Sequence, residues 1–211
     1  MSIDLKGVAT KMSEIFYISD THFGHRNVIR FDERPFETIE EMDEALIENW
    51  NRTVGRGDIV YHLGDFCWGK ADEWERLLPR LNGGITLVRG NHDLKRMPQN
   101  AKRYFADVKD YKEIKDNGRR VILCHYPILA YKSSYDPNVY TLHGHVHTLT
   151  DENRKICQWV KELRDSPHDN AENRGQIYNV GCMTPHMDYS PRTLDEIIEK
   201  ERNFSIYERN S

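Results

Sequence analysis

An α/β fold is predicted by three features of the sequence. Short β-branched and aromatic runs recur along the chain, stretches of helical period separate the early ones, and most of the runs end in a polar residue able to bind or react. Strands alternating with helices make α/β units. In sheets built from such units functional groups gather beyond the carboxyl ends of the strands, and five of the run ends carry Asp, Asn or His.

Taken in order, Glu14 to Ser19 (EIFYIS) is the first predicted strand and leads into Asp20-Thr21-His22. A helix follows over 39–54, with Ile39, Met42, Ala45, Leu46, Asn49 and Trp50 at helical spacing. Asp58 to Leu63 (DIVYHL) runs into Gly64-Asp65, a shorter helix is expected over 71–78, and Ile85 to Arg89 (ITLVR) runs into Gly90-Asn91-His92-Asp93. Arg120 to Cys124 leads into His125-Tyr126-Pro127, and Val139 to Leu142 leads into His143-Gly144-His145-Val146-His147. Ile177 to Val180 ends at Gly181, and Thr193 with Glu196 makes a capping box for a last helix. The stretch 149–176 is expected to hold a short helix around 156–163 and then a polar loop to Gly175, with Trp159 either covering the site or packing.

Composition bounds the function. The 211 residues suit one domain, 1–211, with 1–12 expected to be a disordered or non-essential extension and Met12 a second candidate start. With 30 basic against 34 acidic residues the net charge is -4, so a nucleic-acid partner is not indicated by charge, although a local basic patch stays open. No apolar run approaches the ~20 residues that cross a bilayer, and the N-terminus lacks the pattern of a signal peptide, which together argue for a cytoplasmic protein without a membrane partner. Cys67, Cys124, Cys157 and Cys182 lie far apart with no CxxC pair, as reduced packing thiols do.

The run ends pool Asp20, His22, Asp65, Asn91, His125, His145 and His147. Oxygen and imidazole donors without thiolates suit Mn, Fe, Ni or Zn better than a structural thiolate-zinc site. Seven donors exceed the needs of one catalytic ion and suffice for two if a carboxylate bridges.

Asp20-x-His22, Gly64-Asp65, Gly90-Asn91-His92-Asp93, His125 and Gly144-His145-x-His147, in that order, resemble the five motif blocks of the calcineurin-like metallophosphoesterase superfamily. The resemblance implies a four-layer α/β/β/α sandwich, two sheets packed together with helices outside, and two divalent ions, Mn first among the candidates. It implies that Asp20, His22 and His147 hold one metal, that Asn91, His125 and His145 hold the other, and that Asp65 bridges them. His92 binds no metal in this pattern and faces the scissile phosphate. Two close cations supply hydroxide near neutral pH and stabilise the charge that develops at phosphorus. The leaving oxygen then needs a proton, which imidazole is suited to provide. Asp93 either orients His92 or starts a helix.

Other residues have weaker claims. His25, Arg26 and Asn27, and after them Arg30 and Arg34, lie on the loop after His22 and are candidates for substrate phosphate, with a surface or fold-stabilising role as the alternative. His62 is expected to be a hydrogen-bonded core residue, and His143 to pack behind the ligands. His168 and His186 have no motif context and default to the surface, while Tyr126 lines the pocket or packs.

Fold alone does not settle substrate. Asp65 is followed by Phe66-Cys67-Trp68-Gly69 rather than the Asp-Arg-Gly continuation of the Ser/Thr protein phosphatase branch, and Asn91-His92 is followed by Asp93 rather than Glu. These departures and the short chain favour a phosphodiesterase acting on nucleotide-like or other small phosphodiesters. The alternatives are a phosphomonoesterase, a nuclease, and a binding scaffold with the same fold. The oligomeric state is open.

Overall fold

The computed structural model describes residues 13–165 and 175–209, so the expected extension 1–12, His168 and most of the polar loop before Gly175 lie outside the described residues. Two four-stranded sheets form the frame. The first runs β1 (Ile15–Ile18), β2 (Ile59–His62), β3 (Gly84–Val88), β4 (Asp107–Lys109), parallel throughout. The second runs β5 (Tyr111–Asp116), β6 (Arg119–Cys124), β7 (Val139–His143), β8 (Ile177–Asn179), with β5 antiparallel to β6 and the rest parallel.

Among the described residues six α-helices accompany them: α1 (Arg26–Phe31), α2 (Ile39–Thr53), α3 (Ala71–Leu77), α4 (Asp93–Arg96), α5 (Asp151–Asp165) and α6 (Leu194–Arg209). Residues from both sheets, including Phe16, Ile18, Val60, Leu87, Val121, Leu123 and Leu142, share one buried core. The result is the expected pair of sheets flanked by helices.

Local chemistry explains the elements that position the site. Thr38 caps α2 by accepting the Glu41 N–H at 3.1 Å, and Met42, Leu46, Ile47 and Trp50 form its buried face. The Thr193–Glu196 capping box before α6 is present in both directions. Parallel pairing aims the ends of β1, β2 and β3 one way, and those of β6 and β7 likewise within the second sheet. The sheets are stitched beyond β8, where Ser19 N–H donates to Val180 C=O, Cys182 N–H to Ser19 C=O, and Tyr17 and Arg192 exchange backbone bonds.

The structure corrects the sequence reading in several places. β4 and β5 were not expected, because DVK and YKEIKD carry too little apolar character; β5 is an edge strand with its alternate residues exposed. Its turn is nevertheless a two-residue Asn117-Gly118 hairpin with φ of 48° and 82°, the left-handed pair that such turns require. α1 and α4 are too short to show a period, and α5 is longer than 156–163. Trp159 stays exposed on α5, whose Ile156 and Val160 pack against Val146 and Ile177. His186 is buried rather than on the surface, with its Nε2 2.7 Å from Asn179 C=O, because the turns after β8 fold back over that strand.

His62 sits in the core with Nε2 3.0 Å from Thr21 Oγ1, while its Nδ1 accepts the Gly64 N–H at 3.2 Å. Burial lowers its pKa to about 3, so in the folded chain the ring stays neutral where an unfolded histidine would charge. The unfolded state therefore takes up the proton first. Stability supplied by this group is full above about pH 6.5 and falls as pH drops toward 3. Replacing His62 by Gln should remove about 2 kcal/mol of the difference in unfolding free energy between pH 7 and pH 5, measured by urea denaturation with wild type as reference. An unchanged difference would contradict the neutral buried ring.

Candidate metal centre

The candidate ligands lie where backbone geometry is least ordinary. Asp20, His22, Asp65 and His145 all have left-handed φ, at 54°, 50°, 55° and 68°. Such conformations cost roughly 1–2 kcal/mol each for non-glycine residues. They persist because the loops are tied together: Asp20 N–H donates to Gly64 C=O and His22 N–H to Asp65 C=O, both at 3.0 Å. Glycine is required where these loops touch. A side chain at Gly90 would fall on the Asp65 carboxylate, and one at Gly144 on Ser19 and the Asp20 carboxylate.

The side chains converge. Ligand atoms of Asp20, His22 and His147 lie within 4.8 Å of one another, and so do those of Asp20, Asp65 and His125. Asp65 Oδ2 is 3.8 Å from His22 Nε2, 3.6 Å from His125 Nε2 and 3.8 Å from His92 Nε2. Asn91 Oδ1 lies 3.1 Å from His125 Nε2. The His145 ring packs beside that of His125 at 5.1 Å between centroids, and its backbone N–H donates to Asp20. All seven sequence-predicted ligands thus meet in one place.

These residues fit divalent ions. Asp20 and Asp65 are buried, and among the described residues their ion-pair partners are histidines, with no lysine or arginine facing either carboxylate. Burial, with the Asp20 charge beside it, pushes the Asp65 carboxyl above the usual carboxylate range against the opposing pull of His125 and His92. His22 Nε2 is a buried nitrogen with no hydrogen-bond partner. Burial, then Arg34 and His147, hold this ring well below the ordinary imidazole range, so it is neutral and has a lone pair to give. Two buried carboxylates facing the unpartnered His22 Nε2 call for positive charge that the described residues do not supply.

Partners behind the ligands set their tautomers. His125 Nδ1 lies 2.7 Å from Leu63 C=O, which only accepts, so Nδ1 carries the proton and Nε2 faces Asp65. His147 Nδ1 lies 2.6 Å from Asp32 Oδ1, leaving Nε2 toward Asp20. His143 is buried, with Nδ1 2.9 Å from Gly144 C=O and a pKa lowered to about 4 by burial; it stands behind the site.

The other candidates separate. Asp93 is buried and accepts the backbone N–H groups of Asp65, Phe66 and Gly90 at 2.7, 3.0 and 2.8 Å, so its carboxylate braces the loops after β2 and β3 rather than orienting the His92 ring. Burial raises its pKa to about 6 despite those three donors. Arg34 does not reach toward substrate: its side chain is fully buried and bonded to Asp32 and to the Asp20 and Thr21 carbonyls. Arg26 and Asn27 are exposed on α1.

Sequence reasoning did not single out Phe31, Trp68 and Arg96, which with His25 and Arg30 form a continuous rim. Trp68 stacks on His25 at 3.9 Å, lies 4.7 Å from His92 and carries the Arg96 guanidinium 3.5 Å from its ring, while Phe31 is 6.5 Å from His25 and lies under Arg30. On another side of the site, exposed Tyr126 packs against His125 and His145. Asp32 was also missed, since its partner is 115 positions away and it lies in no periodic pattern.

A family model described as calcineurin-like phosphoesterase matches residues 14–205. The uncharacterized protein MJ1445 of Methanocaldococcus jannaschii is 34% identical over 190 residues, 89% of this chain and 91% of that protein. The Gene 66 protein of Mycobacterium phage D29 is 29% identical over 163 residues, 65% of this chain and 80% of its own. The solved structure of AQ665, a protein of unknown function from Aquifex aeolicus, superposes with a TM-score of 0.64 at 28% identity, covering 89% of this chain and 98% of that one.

Replacing Asp93 by Ala leaves three backbone donors of the metal-site loops without their acceptor. A loss of about 2–4 kcal/mol in unfolding free energy is expected, together with weaker divalent-metal binding, both measured on the purified variant. A loss below about 0.5 kcal/mol would contradict the bracing role.

Proposed function

The chain belongs to the calcineurin-like phosphoesterase family, hydrolases acting on phosphoester bonds that depend on divalent metals, and from that premise we propose a two-metal phosphodiesterase acting on nucleotide-like or other small phosphodiesters. The observation that carries the two-metal reading is Asp65 Oδ2 standing between His22 Nε2 at 3.8 Å and His125 Nε2 at 3.6 Å. One carboxylate thus faces an imidazole from each predicted ligand set. Asp20, His22 and His147 would hold one ion and Asn91, His125 and His145 the other, with Asp65 shared and Mn the metal to test first. Bound there, the two ions would activate the attacking water and take up charge on the phosphate oxygens.

The residues of the chain do the rest. His92 lies beside the ligands with its backbone N–H donating to Asp65 Oδ1 at 3.0 Å and its side chain 36% exposed. It therefore reaches both the centre and solvent, as a donor to a departing alkoxide must. The rim from Arg30 and Phe31 through His25 and Trp68 to Arg96 supports a diester with an aromatic substituent. Cations there match a second phosphate, and the exposed Phe31 face offers a stacking surface. Burial, with His92, Arg34 and Arg96 nearby, lowers the His25 pKa to about 4, so that ring adds surface without charge.

The discriminating experiment is hydrolysis of dinucleotides, an aryl phosphodiester and the corresponding monoester by the Mn-loaded and chelated protein. Turnover of diesters above monoesters, lost on chelation, is the expected result. Faster monoester turnover would favour a phosphatase, cleavage confined to oligonucleotides a nuclease, and inertness after full Mn loading a binding scaffold.

Two variants test the assigned roles. His92→Ala should retain both metals yet lose about 10²–10⁴-fold in kcat on an alkyl diester, and less than about tenfold on an activated aryl ester. Equal loss on both would exclude the proton-donor role. Phe31→Ala should raise KM for a dinucleotide several-fold without changing KM for a diester that lacks an aromatic group. A parallel rise for both would remove the stacking surface from the account.

A further inference from the structure

We infer that the buried Asp32–Arg34 pair is the device that positions the first ligand set, with Asp32 fixing the His147 imidazole in the tautomer that presents Nε2 to a metal. The inference rests on the two-metal reading above and adds residues outside the five motif blocks.

The geometry is explicit. Asp32 Oδ1 is 2.6 Å from His147 Nδ1, and Asp32 Oδ2 accepts Arg34 Nε and Nη2, both at 3.0 Å. Arg34 Nη2 also donates to Asp20 C=O and Nη1 to Thr21 C=O, each at 2.9 Å. The Arg34 and Asp32 side chains are 0% and 1% exposed. Between them Glu33 turns outward at φ 50°, so that its two neighbours face the same way. A single charge pair therefore grips the backbone that carries Asp20 and leads to His22 at the end of β1, and the imidazole of His147 beyond β7. Those elements belong to different sheets.

Two chemical facts turn this contact into a role. An ionised carboxylate can only accept hydrogen bonds, so the 2.6 Å contact requires a proton on His147 Nδ1 and, in the neutral ring, leaves Nε2 with its lone pair. That Nε2 lies 3.9 Å from Asp20 Oδ1, inside the first ligand set. Moreover, a buried ion pair contributes little net stability compared with apolar packing. Fixing a ligand is a use for it that stability alone does not provide, since carboxylate–histidine–metal arrangements orient the ring and raise its basicity.

Asp32→Asn separates this role from a purely structural one. The amide is isosteric and its oxygen can still accept from Arg34, but its NH₂ then faces His147 Nδ1 and moves the ring proton to Nε2, where it blocks coordination. Manganese binding followed by calorimetry should show two ions in the wild type, and in the variant one of the two weakened about 10–100-fold or lost. Two ions bound with unchanged affinity in a folded Asp32→Asn protein overturn the inference. A wild type that binds no Mn would instead overturn the two-metal reading.

A second readout needs neither metal nor activity. Long-range proton–nitrogen NMR correlations of the metal-free protein at pH 9 should find His147 protonated on Nδ1 in the wild type and on Nε2 in Asp32→Asn. An Nε2–H tautomer in the wild type overturns the inference even if the variant does not fold.

Discussion

The rest of the structure depends on the burial of Asp20 and Asp65 side by side with, among the described residues, no lysine or arginine between them. Two carboxylates taken out of water repel each other and lose hydration, an arrangement that costs several kcal/mol unless positive charge is brought in. The surrounding construction keeps them together. His145 N–H donates to Asp20, His92 N–H donates to Asp65, and histidines fill the remaining directions. The left-handed loops, the glycines pressed against the carboxylates and the Asp93 brace all serve that proximity. A fold that maximised its own stability would not assemble this cluster; one built to receive cations must.

Strain and support are divided between two scaffolds of different kinds. Around Asp65 the support is neutral donors aimed at one carboxylate, because Asp93 collects the N–H groups of the loops after β2 and β3. Around Asp20 and His147 it is an ion pair, with Arg34 on carbonyl oxygens and Asp32 on an imidazole. Each scaffold comes from a residue close to the ligands in space and separate from them in role. The rim of exposed Phe31 and Arg96 and half-buried Trp68 lies outside these buried supports.

Much of this was legible in the sequence where residue type and order carry chemistry. Asp20, His22, Asp65, Asn91, His125, His145 and His147 could be chosen because each follows an apolar run, and parallel pairing does bring those run ends together. The helix over 39–54 and the Thr193 cap could be read because period and capping are local properties. What escaped was set by contacts distant in sequence. Asp32 lies in a polar stretch with no period, and its partner is 115 residues on. His186 looked like a surface residue because nothing near it in sequence indicates that the chain folds over Asn179. β5 was missed since an edge strand needs only one good face, and YKEIKD resembles a loop until the Asn117-Gly118 turn is given its due.

The stitching of the sheets has a consequence for how the molecule is made. The free edge of β1 is closed only when the stretch around Val180 to Arg192 comes back to pair with Tyr17 and Ser19. During synthesis from the N-terminus, β1, β2 and β3 therefore emerge with that edge open for most of the time the chain is being translated. Such an edge is a template for pairing with other chains, and closing so long a loop is slow. The arrival of the stretch around Val180 to Arg192 then both covers that edge and gives Asp20 its final surroundings.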